Sequence, residues 1–290
     1  MIVVSLRGGL GNQLFQYAAA RRLSIVRGVP LRLDLDWYRN TPSSNTKREY
    51  ELRHYGISAA PVNPVEARWC RLHHGRVMRR LPFLPRRWRH YRESGFEFEP
   101  DVLSLASDVY LDGYWQSFLY FSDIRDTLRA ELTLQQSLSR EANQLAAEIV
   151  SAAYTPVSVH IRRGDYVTHP SAASMHGVCS VDYYADALGL MAARVENPKF
   201  FVFSDDISWA RANLQFPGAA QFIDYESPCR VVEDLYLMSQ CEHHVIANSS
   251  FSWWGAWLSG ATDGCVLAPK RWFADGRSTE SLVPKAWHRL

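Results

Sequence analysis

The sequence predicts an α/β protein in which parallel strands alternate with helices. Four short apolar runs recur along its 290 residues, and each leads through a polar or glycine-rich turn toward a helical pattern. This alternation is typical of parallel sheets, because the chain has to cross back over the sheet before each new strand. The four runs are residues 2–6, 157–161, 200–203 and 244–247.

The first run leads into a glycine-rich turn at residues 8–11 and then into a helical pattern at residues 14–23. The turn lacks the GxGxxG spacing of dinucleotide-binding loops, and it does not match a Walker A loop. Glycines still allow a ligand to approach the backbone closely, and Asn12 can donate and accept hydrogen bonds at the same place. Gly11 and Asn12 are therefore candidate ligand contacts.

The second run predicts a strand with one aliphatic face and one polar face. Side chains alternate across a strand, so Ser158, His160 and Arg162 share a face opposite the aliphatic residues. A guanidinium at a strand end suits a pyrophosphate, because it donates paired hydrogen bonds and keeps its charge. The alternative is that Arg162 only forms an ion pair with Asp165.

Polar residues also follow the third and fourth runs. Asp205 follows the third, and Asn248-Ser249-Ser250 follows the fourth and opens a predicted helix from Phe251 to residue 258. Helix N-termini attract anions, because they carry partial positive charge and outward N–H groups. The alternative is that Ser250 is only an N-cap, and both can hold at once. The three tryptophans of this helix are expected to pack in the core: Trp253, Trp254 and Trp257.

The spacing of these units predicts two Rossmann-like halves with a cleft between them. Residues 61–100 are rich in proline, arginine and histidine, whereas the last three units lie between residues 157 and 260. We therefore expect an N-terminal half at residues 1–150, a C-terminal half at 151–275 and an unassigned tail at 276–290. Ligands of open parallel sheets bind beyond the carboxyl ends of the strands, where all four polar clusters stand.

Composition excludes several classes of protein. The formal net charge of +2 and the pI near 8.3 argue against a nucleic-acid binder. The five cysteines include no CxxC pair, which predicts free thiols rather than a disulfide framework or a zinc knuckle. No stretch approaches the roughly 18 apolar residues of a membrane span, and the first residues do not resemble a signal peptide. We expect a cytoplasmic protein, either soluble or peripheral to the inner membrane.

The tripeptide Asp34-Leu35-Asp36 is a DxD pattern, which can hold a divalent cation. Leucines alternate with charged residues from position 31 to 36, however, and this is the pattern of a half-buried strand. Hard cations usually need several carboxylates and substrate phosphates that converge, and Arg162 already supplies positive charge. The sequence therefore predicts no obligatory metal and no cofactor.

The segment from Glu66 to Arg92 holds nine arginines and a single acidic residue. One interpretation is a helix whose arginines are solvated while its apolar residues pack inward. The other is a basic surface at residues 66–92 that contacts anionic membrane lipid or a lipid-pyrophosphate-linked glycan. The sequence does not decide between these interpretations.

Four segments together resemble the alpha-1,2-fucosyltransferase family, and GYWQS at residues 113–117 resembles a further stretch of it. The resemblance extends from residue 5 to about residue 272. The family pattern is missing from the arginine-rich residues 66–92. The four segments are GGLGNQ at 8–13, HIRRGDY at 160–166, FSDD at 203–206 and NSSFSWWG at 248–255.

The resemblance implies a GT-B-like fold and an inverting transfer of L-fucose from GDP-fucose to the 2-hydroxyl of a terminal galactoside on a surface glycan, without a metal. The N-terminal half would be the acceptor side, and the C-terminal half would bind GDP-fucose. Arg162 would neutralise the pyrophosphate, His160 would lie by the nucleotide, and Asn12 would reach the donor from the other half. The other implied donor contacts are Gly11, Asp205, Asn248, Ser249, Ser250 and Phe251.

An inverting transfer also needs a base that deprotonates the acceptor hydroxyl, and a carboxylate is the usual group. Asp36, Asp112 and Asp165 are candidates, and the sequence does not choose among them. Two other functions stay open. A GDP-fucose-dependent transferase of alpha-1,6 or O-fucose linkage would share the HxR feature, and a non-catalytic nucleotide-sugar or glycan-binding protein would use the same residues without turnover.

Overall fold

The chain forms two compact units, Met1–Gln135 and Gln136–Leu290. Each contains a parallel β-sheet with helices, so the predicted α/β class with two Rossmann-like sheets is confirmed. The computed structural model describes residues 1–40, 48–72, 89–164 and 177–290.

The first unit is built on a sheet in which every strand pair is parallel. Its strands are β1 (Ile2–Ser5), β2 (Leu31–Asp34), β3 (Ala60–Pro61), β4 (Arg89–Arg92) and β5 (Val109–Asp112), and its helices are α1 (Leu10–Arg27), α2 (Asp36–Arg39), α3 (Pro64–Leu72) and α4 (Arg125–Glu131). The order across the sheet is β3-β2-β1-β5-β4. The strand order reverses between β1 and β5, so the residues that follow these two strands are candidates for ligand binding.

Helix α1 follows β1 through the predicted glycine turn. Gly9 is its N-cap, and the helix ends at Gly28, whose φ of 60° is left-handed. The Gly28 N–H donates to the carbonyl of Ile25 at 3.1 Å. Glycine adopts this conformation at little cost, so Gly28 terminates the helix cleanly. Leu14 and Phe15 are fully buried and attach the helix to the core.

The second unit also contains only parallel strand pairs among the residues that the structure describes. Its strands are β6 (Thr155–Ile161), β7 (Pro198–Ser204), β8 (Ala219–Phe222), β9 (His243–Val245), β10 (Val266–Ala268) and β11 (His288–Arg289). Its helices are α5 (Arg140–Ile149), α6 (Val181–Arg194), α7 (Ile207–Asn213), α8 (Arg230–Gln240) and α9 (Ser250–Leu258). The order β11-β10-β9-β6-β7-β8 reverses between β6 and β9, as in dinucleotide-binding folds.

The predicted alternation along β6 is confirmed by the packing of its two faces. Val157, Val159 and Ile161 are fully buried in one apolar cluster with residues of α6. On the other face, Ser158 lies 2.7 Å from Nδ1 of the buried His244. His160, which shares that face, therefore belongs to the polar side of the strand end.

The division between the units differs from the one expected at residues 150 and 151. Helix α5 belongs to the second unit, because its Ala142 and Ile149 pack with Phe201 of β7 and Leu237 of α8. The expected tail at residues 276–290 is also part of this unit, since β11 pairs with β10. A two-residue strand leaves no periodic pattern that a sequence could reveal.

The arginine-rich segment is only partly described. Residues 66–72 lie in α3 and residues 89–92 form β4, whereas residues 73–88 lie outside the described part of the chain. Contact of residues 66–92 with a membrane therefore stays a prediction. None of the helices in the described ranges combines the length and apolar character that crossing a membrane requires.

Candidate active site

The strand order of the second unit places several predicted residues at one edge of the sheet. β6 and β9 are hydrogen-bonded neighbours, with Val159 opposite Val245. His160 lies near the carboxyl end of β6, and the residues that follow β9 lead into α9. The rings of His160 and Phe251 are 5.6 Å apart between centroids. The sheet therefore brings together residues that are about 90 positions apart in sequence, at the point where such folds bind ligands.

His160 is buried and electrically neutral near physiological pH. Its side chain is 5% exposed, and the hydroxyl of Tyr184 donates to its carbonyl at 3.2 Å. Burial and, to a smaller extent, the neighbouring Arg162 lower the pKa of His160 to about 3. The buried Nδ1 has no hydrogen-bond partner among the residues that the structure describes. His160 can therefore donate or accept a hydrogen bond, but it does not supply positive charge.

Arg162 supplies positive charge at this strand end, and Asp205 holds its guanidinium in place. The Arg162 guanidinium lies 3.0 Å from Oδ2 of Asp205, whose Oδ1 accepts from the Arg163 N–H at 2.9 Å. Gly164 permits this packing, since a Cβ there would lie 2.7 Å from Asp205 Oδ2. Asp165, which the sequence offered as an ion-pair partner of Arg162, lies outside the described residues. Among the described residues, Asp205 pairs with Arg162.

The Arg162 guanidinium carries five N–H donors. Its side chain is 21% exposed, so part of it reaches solvent at the strand end. Asp205 was predicted to contact the donor, and that contact stays a prediction. Its contacts with Arg162 and Arg163 orient the cation.

Helix α9 begins one residue earlier than expected. Ser249 is the N-cap, and its Oγ accepts from the Phe251 N–H at 3.3 Å, so the suggestion that Ser250 is the N-cap was wrong. Ser250 is instead the first residue of the helix. The predicted core role of Trp253 and Trp254 is confirmed, since both are fully buried. A cap on a buried, tryptophan-rich helix fixes the direction in which the positive helix end points.

Asn248 is occupied by contacts within the protein. Its side chain is 2% exposed, and Nδ2 donates to the carbonyls of Trp272 at 3.1 Å and Gly177 at 3.3 Å. Its Oδ1 accepts from the thiol of Cys179 at 3.4 Å. The side chain therefore ties two loops to the end of β9. This position supports the neighbouring serines, and direct contact of Asn248 with a ligand stays a prediction.

In the first unit, the predicted glycine turn leads directly to Asn12. Gly8 has a φ of 79°, and a Cβ on it would lie 2.6 Å from Nδ2 of Asn12. The Gly8 carbonyl accepts from the Tyr38 hydroxyl at 3.1 Å, and Asn12 Oδ1 accepts from Nε2 of Gln116 at 2.8 Å. Gly11 is buried in the first turn of α1. The turn thus requires glycine at position 8, and hydrogen bonds from Tyr38 and Gln116 hold Gly8 and Asn12 in place.

We expect Gly8→Ala to destabilise the protein by about 1 to 2 kcal/mol or more, because alanine disfavours a left-handed backbone and its methyl group would displace Asn12. Denaturant unfolding followed by circular dichroism measures the change. The matched control is Gly189→Ala in α6, where a Cβ meets nothing within 4 Å. This control should gain up to about 1 kcal/mol from helix propensity. Equal stability of Gly8→Ala and wild type would contradict the assigned strain.

The candidate bases differ in their surroundings. Asp112 accepts from Arg7 at 2.8 Å, and His90 and Arg92 also contact it. The hydrogen bond with His90 and the two arginines hold the pKa of Asp112 at about 2, so it is a weak base. Asp36 opens α2 and accepts from the side chain of Asn40 at 3.0 Å.

A carboxylate that the sequence did not single out is Glu93, directly after β4. Burial raises the pKa of Glu93 to about 7, against the opposing effect of hydrogen bonds from the N–H groups of Tyr114 and Trp115. The sequence around it, Arg-His-Tyr-Arg, has no run of aliphatic residues, so nothing marked β4 as a strand. Its pairing with β5 is what brings Glu93 to the edge of the sheet.

The DxD tripeptide does not form one continuous strand. β2 ends at Asp34, and Asp36 already belongs to α2, so the predicted alternation through residue 36 was wrong at its end. Asp34 is buried and accepts from the Tyr110 hydroxyl at 2.7 Å and from the Asp36 N–H at 3.0 Å. Within the described ranges, no group of three or more histidines, cysteines or carboxylates is arranged to hold a metal ion.

Solved structures share the fold of this chain. The structure of the NodZ alpha-1,6-fucosyltransferase from Bradyrhizobium, soaked with GDP-fucose, matches with a TM-score of 0.51 and 14% identity, covering 89% of this chain and 92% of that one. At this identity the match shows the fold alone. Together with the two parallel sheets, it shows that the chain has a GT-B fold.

Sequence relatives narrow the class to one family. The model of glycosyl transferase family 11 matches residues 83–290, and the chain belongs to that family. It is 34% identical to an alpha-1,2-colitosyltransferase of Escherichia coli, over 100% of this chain and 99% of that protein. It is 31% identical to the O-antigen biosynthesis glycosyltransferase WbnK of Escherichia coli, over 98% and 99%. The galactoside 2-alpha-L-fucosyltransferase SEC1 of Bos taurus is 26% identical, over 90% of this chain and 65% of that protein.

Proposed function

We propose that this glycosyltransferase moves L-fucose, with inversion, from GDP-fucose to the 2-hydroxyl of a terminal galactoside on a surface glycan or oligosaccharide. The observation that carries the proposal is the pairing of Arg162 with Asp205 at the strand edge where α9 begins. A nucleotide-sugar transferase has to stabilise a departing diphosphate, and this edge supplies a fixed cation and a helix N-terminus.

Each residue at this edge has a separate task in the proposal. As the bond between fucose and the β-phosphate breaks, negative charge grows on GDP while the sugar acquires oxocarbenium character. Arg162 donates paired hydrogen bonds to the diphosphate, and Asp205 keeps the guanidinium oriented. The N-terminus of α9, at Ser249, Ser250 and Phe251, adds its dipole. His160 contributes a hydrogen bond from a neutral ring, and Asn248 completes the proposed set at this edge. Contact of Gly11 and Asn12, which belong to the first unit, with the donor stays a prediction.

A second donor is favoured by one specific finding, which is the 34% identity to an alpha-1,2-colitosyltransferase. Colitose is L-fucose without its 3-hydroxyl. An enzyme whose buried groups hydrogen-bond that hydroxyl rejects the deoxy sugar strongly, whereas an apolar pocket distinguishes the two sugars poorly. The ratio of kcat/KM for the two GDP-sugars therefore separates the two donor assignments.

The test offers GDP-fucose and GDP-colitose to the purified protein with a panel of β-galactosides, and NMR determines the product linkage. Transfer of fucose to the 2-hydroxyl supports the proposal, and a preference for colitose reassigns the donor. An alpha-1,6 or O-linked product would contradict the proposed linkage. Binding of GDP without transfer or donor hydrolysis would identify a non-catalytic nucleotide-sugar-binding protein instead.

We expect transfer to survive excess EDTA. Asp34 is held by Tyr110 and by the backbone of Asp36, which leaves the DxD tripeptide poorly arranged to coordinate a cation. Arg162 and the α9 N-terminus carry positive charge that a divalent ion would otherwise provide. Initial rates are measured on protein that has been treated with EDTA and desalted. Loss of activity that returns on adding Mn²⁺ would show that the reaction requires a metal.

A further inference from the structure

The GYWQS turn at residues 113–117 holds a bulky residue in an unfavourable conformation. Trp115 has a φ of 56°, in the left-handed region that non-glycine residues rarely adopt. Its side chain is fully buried and packs near the rings of Tyr91 and Tyr120, at centroid distances of 6.2 and 5.8 Å. Strain of this kind persists only where surrounding contacts impose it, and it is concentrated at functional sites.

Glu93 makes the contacts that impose this conformation. Its Oε2 accepts from the Tyr114 N–H at 2.6 Å, and its Oε1 accepts from the Trp115 N–H at 2.9 Å. Gly113 permits the approach, since a Cβ there would lie 2.5 Å from Cβ and 2.7 Å from Oε2 of Glu93. Both carboxylate oxygens are thus used to hold two consecutive backbone N–H groups of the turn.

The other end of the turn holds Asn12. Gln116 is 8% exposed, and its Nε2 donates to Asn12 Oδ1 at 2.8 Å. This bond selects one orientation of the Asn12 amide, with Oδ1 toward Gln116. The contacts form a continuous path from Glu93 through the backbone of residues 114 and 115 to Gln116 and Asn12.

We propose that Glu93 is a positioning residue, which holds the 113–117 turn in its left-handed conformation and thereby fixes the side-chain amide of Asn12 for substrate. This inference rests on the proposed function, in which Asn12 contacts the donor. It gives the GYWQS segment a task that its sequence resemblance leaves unassigned. Glu93 acts through Asn12 and does not touch the reacting atoms.

The test is a double-mutant cycle between Glu93→Gln and Asn12→Ala, read as kcat and KM for GDP-fucose together with the thermal midpoint. Glutamine presents an NH₂ group to one of the two N–H donors, so the turn should relax. We expect each single variant to lower kcat/KM on the order of tenfold. The double variant should be no more than about twofold worse than Asn12→Ala, since coupled residues are not additive. The matched control is Glu97→Gln, an exposed glutamate nearby, with unchanged kinetics.

Two outcomes would overturn the inference. Multiplicative losses in the double variant would show that Glu93 acts independently of Asn12. A lower thermal midpoint with unchanged kcat/KM at a temperature where the variant is folded would show a purely structural role. If Glu93→Gln does not fold, Gln116→Leu breaks the same path at its other end and should reproduce the loss of kcat/KM; normal kinetics of that variant would also overturn the inference.

A measurement that does not require catalytic turnover can test this inference separately from the proposed function. The side-chain NH₂ signals of Asn12 and Gln116 are assigned by NMR in wild type and in Glu93→Gln. We expect both to shift, whatever sugar the enzyme transfers. If GDP-fucose is not a donor and these signals still shift, the proposed function fails while the positioning by Glu93 stands. Unchanged signals in a folded variant overturn the positioning role.

Discussion

Replacing Arg162 with alanine is expected to lower turnover with GDP-fucose on the order of 100- to 1,000-fold while leaving the protein folded. The loss corresponds to roughly 3 to 4 kcal/mol of transition-state stabilisation, the magnitude seen when a preorganised donor to a developing negative charge is removed. The fold should survive, because Asp205 keeps the Arg163 N–H and is 24% exposed, so water can solvate its carboxylate. Steady-state kinetics and circular dichroism measure the two effects.

Two further variants make this prediction specific. Arg162→Lys should recover little activity, because an ammonium group cannot reproduce the planar pair of donors that fits a phosphate. The matched control is Arg140→Ala, an exposed arginine of α5, with wild-type turnover expected. A folded Arg162→Ala protein that turns over at the wild-type rate would contradict the role of this residue and weaken the assignment of the strand edge as the diphosphate site.

The second large effect concerns acid stability, through the buried His244. Burial and the neighbouring His243 lower the pKa of His244 to about 3 in the folded protein, against an unfolded value near 6.5. Between these pH values the unfolded chain binds a proton that the folded one does not. The contribution of His244 to stability is therefore fully present above about pH 6.5, and it is lost as the pH falls toward 3, by about 1.4 kcal/mol per pH unit.

Other buried groups also change protonation in this pH range, so the contribution of His244 has to be measured as a difference between wild type and a variant. His160 acts with the same sign as His244, whereas burial raises the pKa of Glu93 to about 7 and of Asp234 to about 6, so these carboxyls favour the folded state as the pH falls. The pH dependence of the free energy of unfolding of wild type is thus a sum of opposing contributions. Comparing wild type with His244→Asn isolates one histidine, because the other contributions cancel.

We expect the free energy of unfolding of His244→Asn to fall less steeply between pH 6 and 4.5, by about 1.4 kcal/mol per pH unit relative to wild type. Asparagine leaves a polar group near Ser158, which contacts Nδ1 of His244 at 2.7 Å. Urea unfolding at a series of pH values measures the slopes, and the exposed His288→Asn is the control, with the wild-type slope. Parallel curves for wild type and His244→Asn would show that His244 takes up a proton in the folded state.

Local sequence patterns were sufficient to predict the features that depend on residues close together in the sequence. The apolar runs predicted β1, β6, β7 and β9, because a strand buried on both faces requires continuous apolar residues. The alternation in β6 predicted the polar face of Ser158 and His160, since the period of a strand is set by covalent geometry. The tryptophans of α9 were assigned to the core for the same kind of reason: large apolar side chains that repeat along a helix have to be covered.

Contacts between distant segments were decided only by the tertiary structure. The sequence left the partner of Arg162 open, and the pairing of β6 with β7 is what brings Asp205 to it. The resemblance implied a donor contact for Asn248, which stays a prediction, and the tertiary structure adds hydrogen bonds from its amide to the carbonyls of Gly177 and Trp272. Loop packing of this kind has no sequence period, so no local pattern indicates it.

The contacts of Glu93 in the first unit were likewise not predictable from local sequence patterns. Its strand carries four polar or aromatic residues and would not be recognised alone, and only pairing with β5 places the carboxylate against the turn at residues 113–117. The sequence by itself determined the two α/β halves and the charged strand end at Arg162, because burial and backbone geometry act locally. Which side chains contact Arg162 and Asn12 was decided by strand order and close packing, which join Arg162 to Asp205 and Asn12 to Gln116, about 40 and about 100 positions apart.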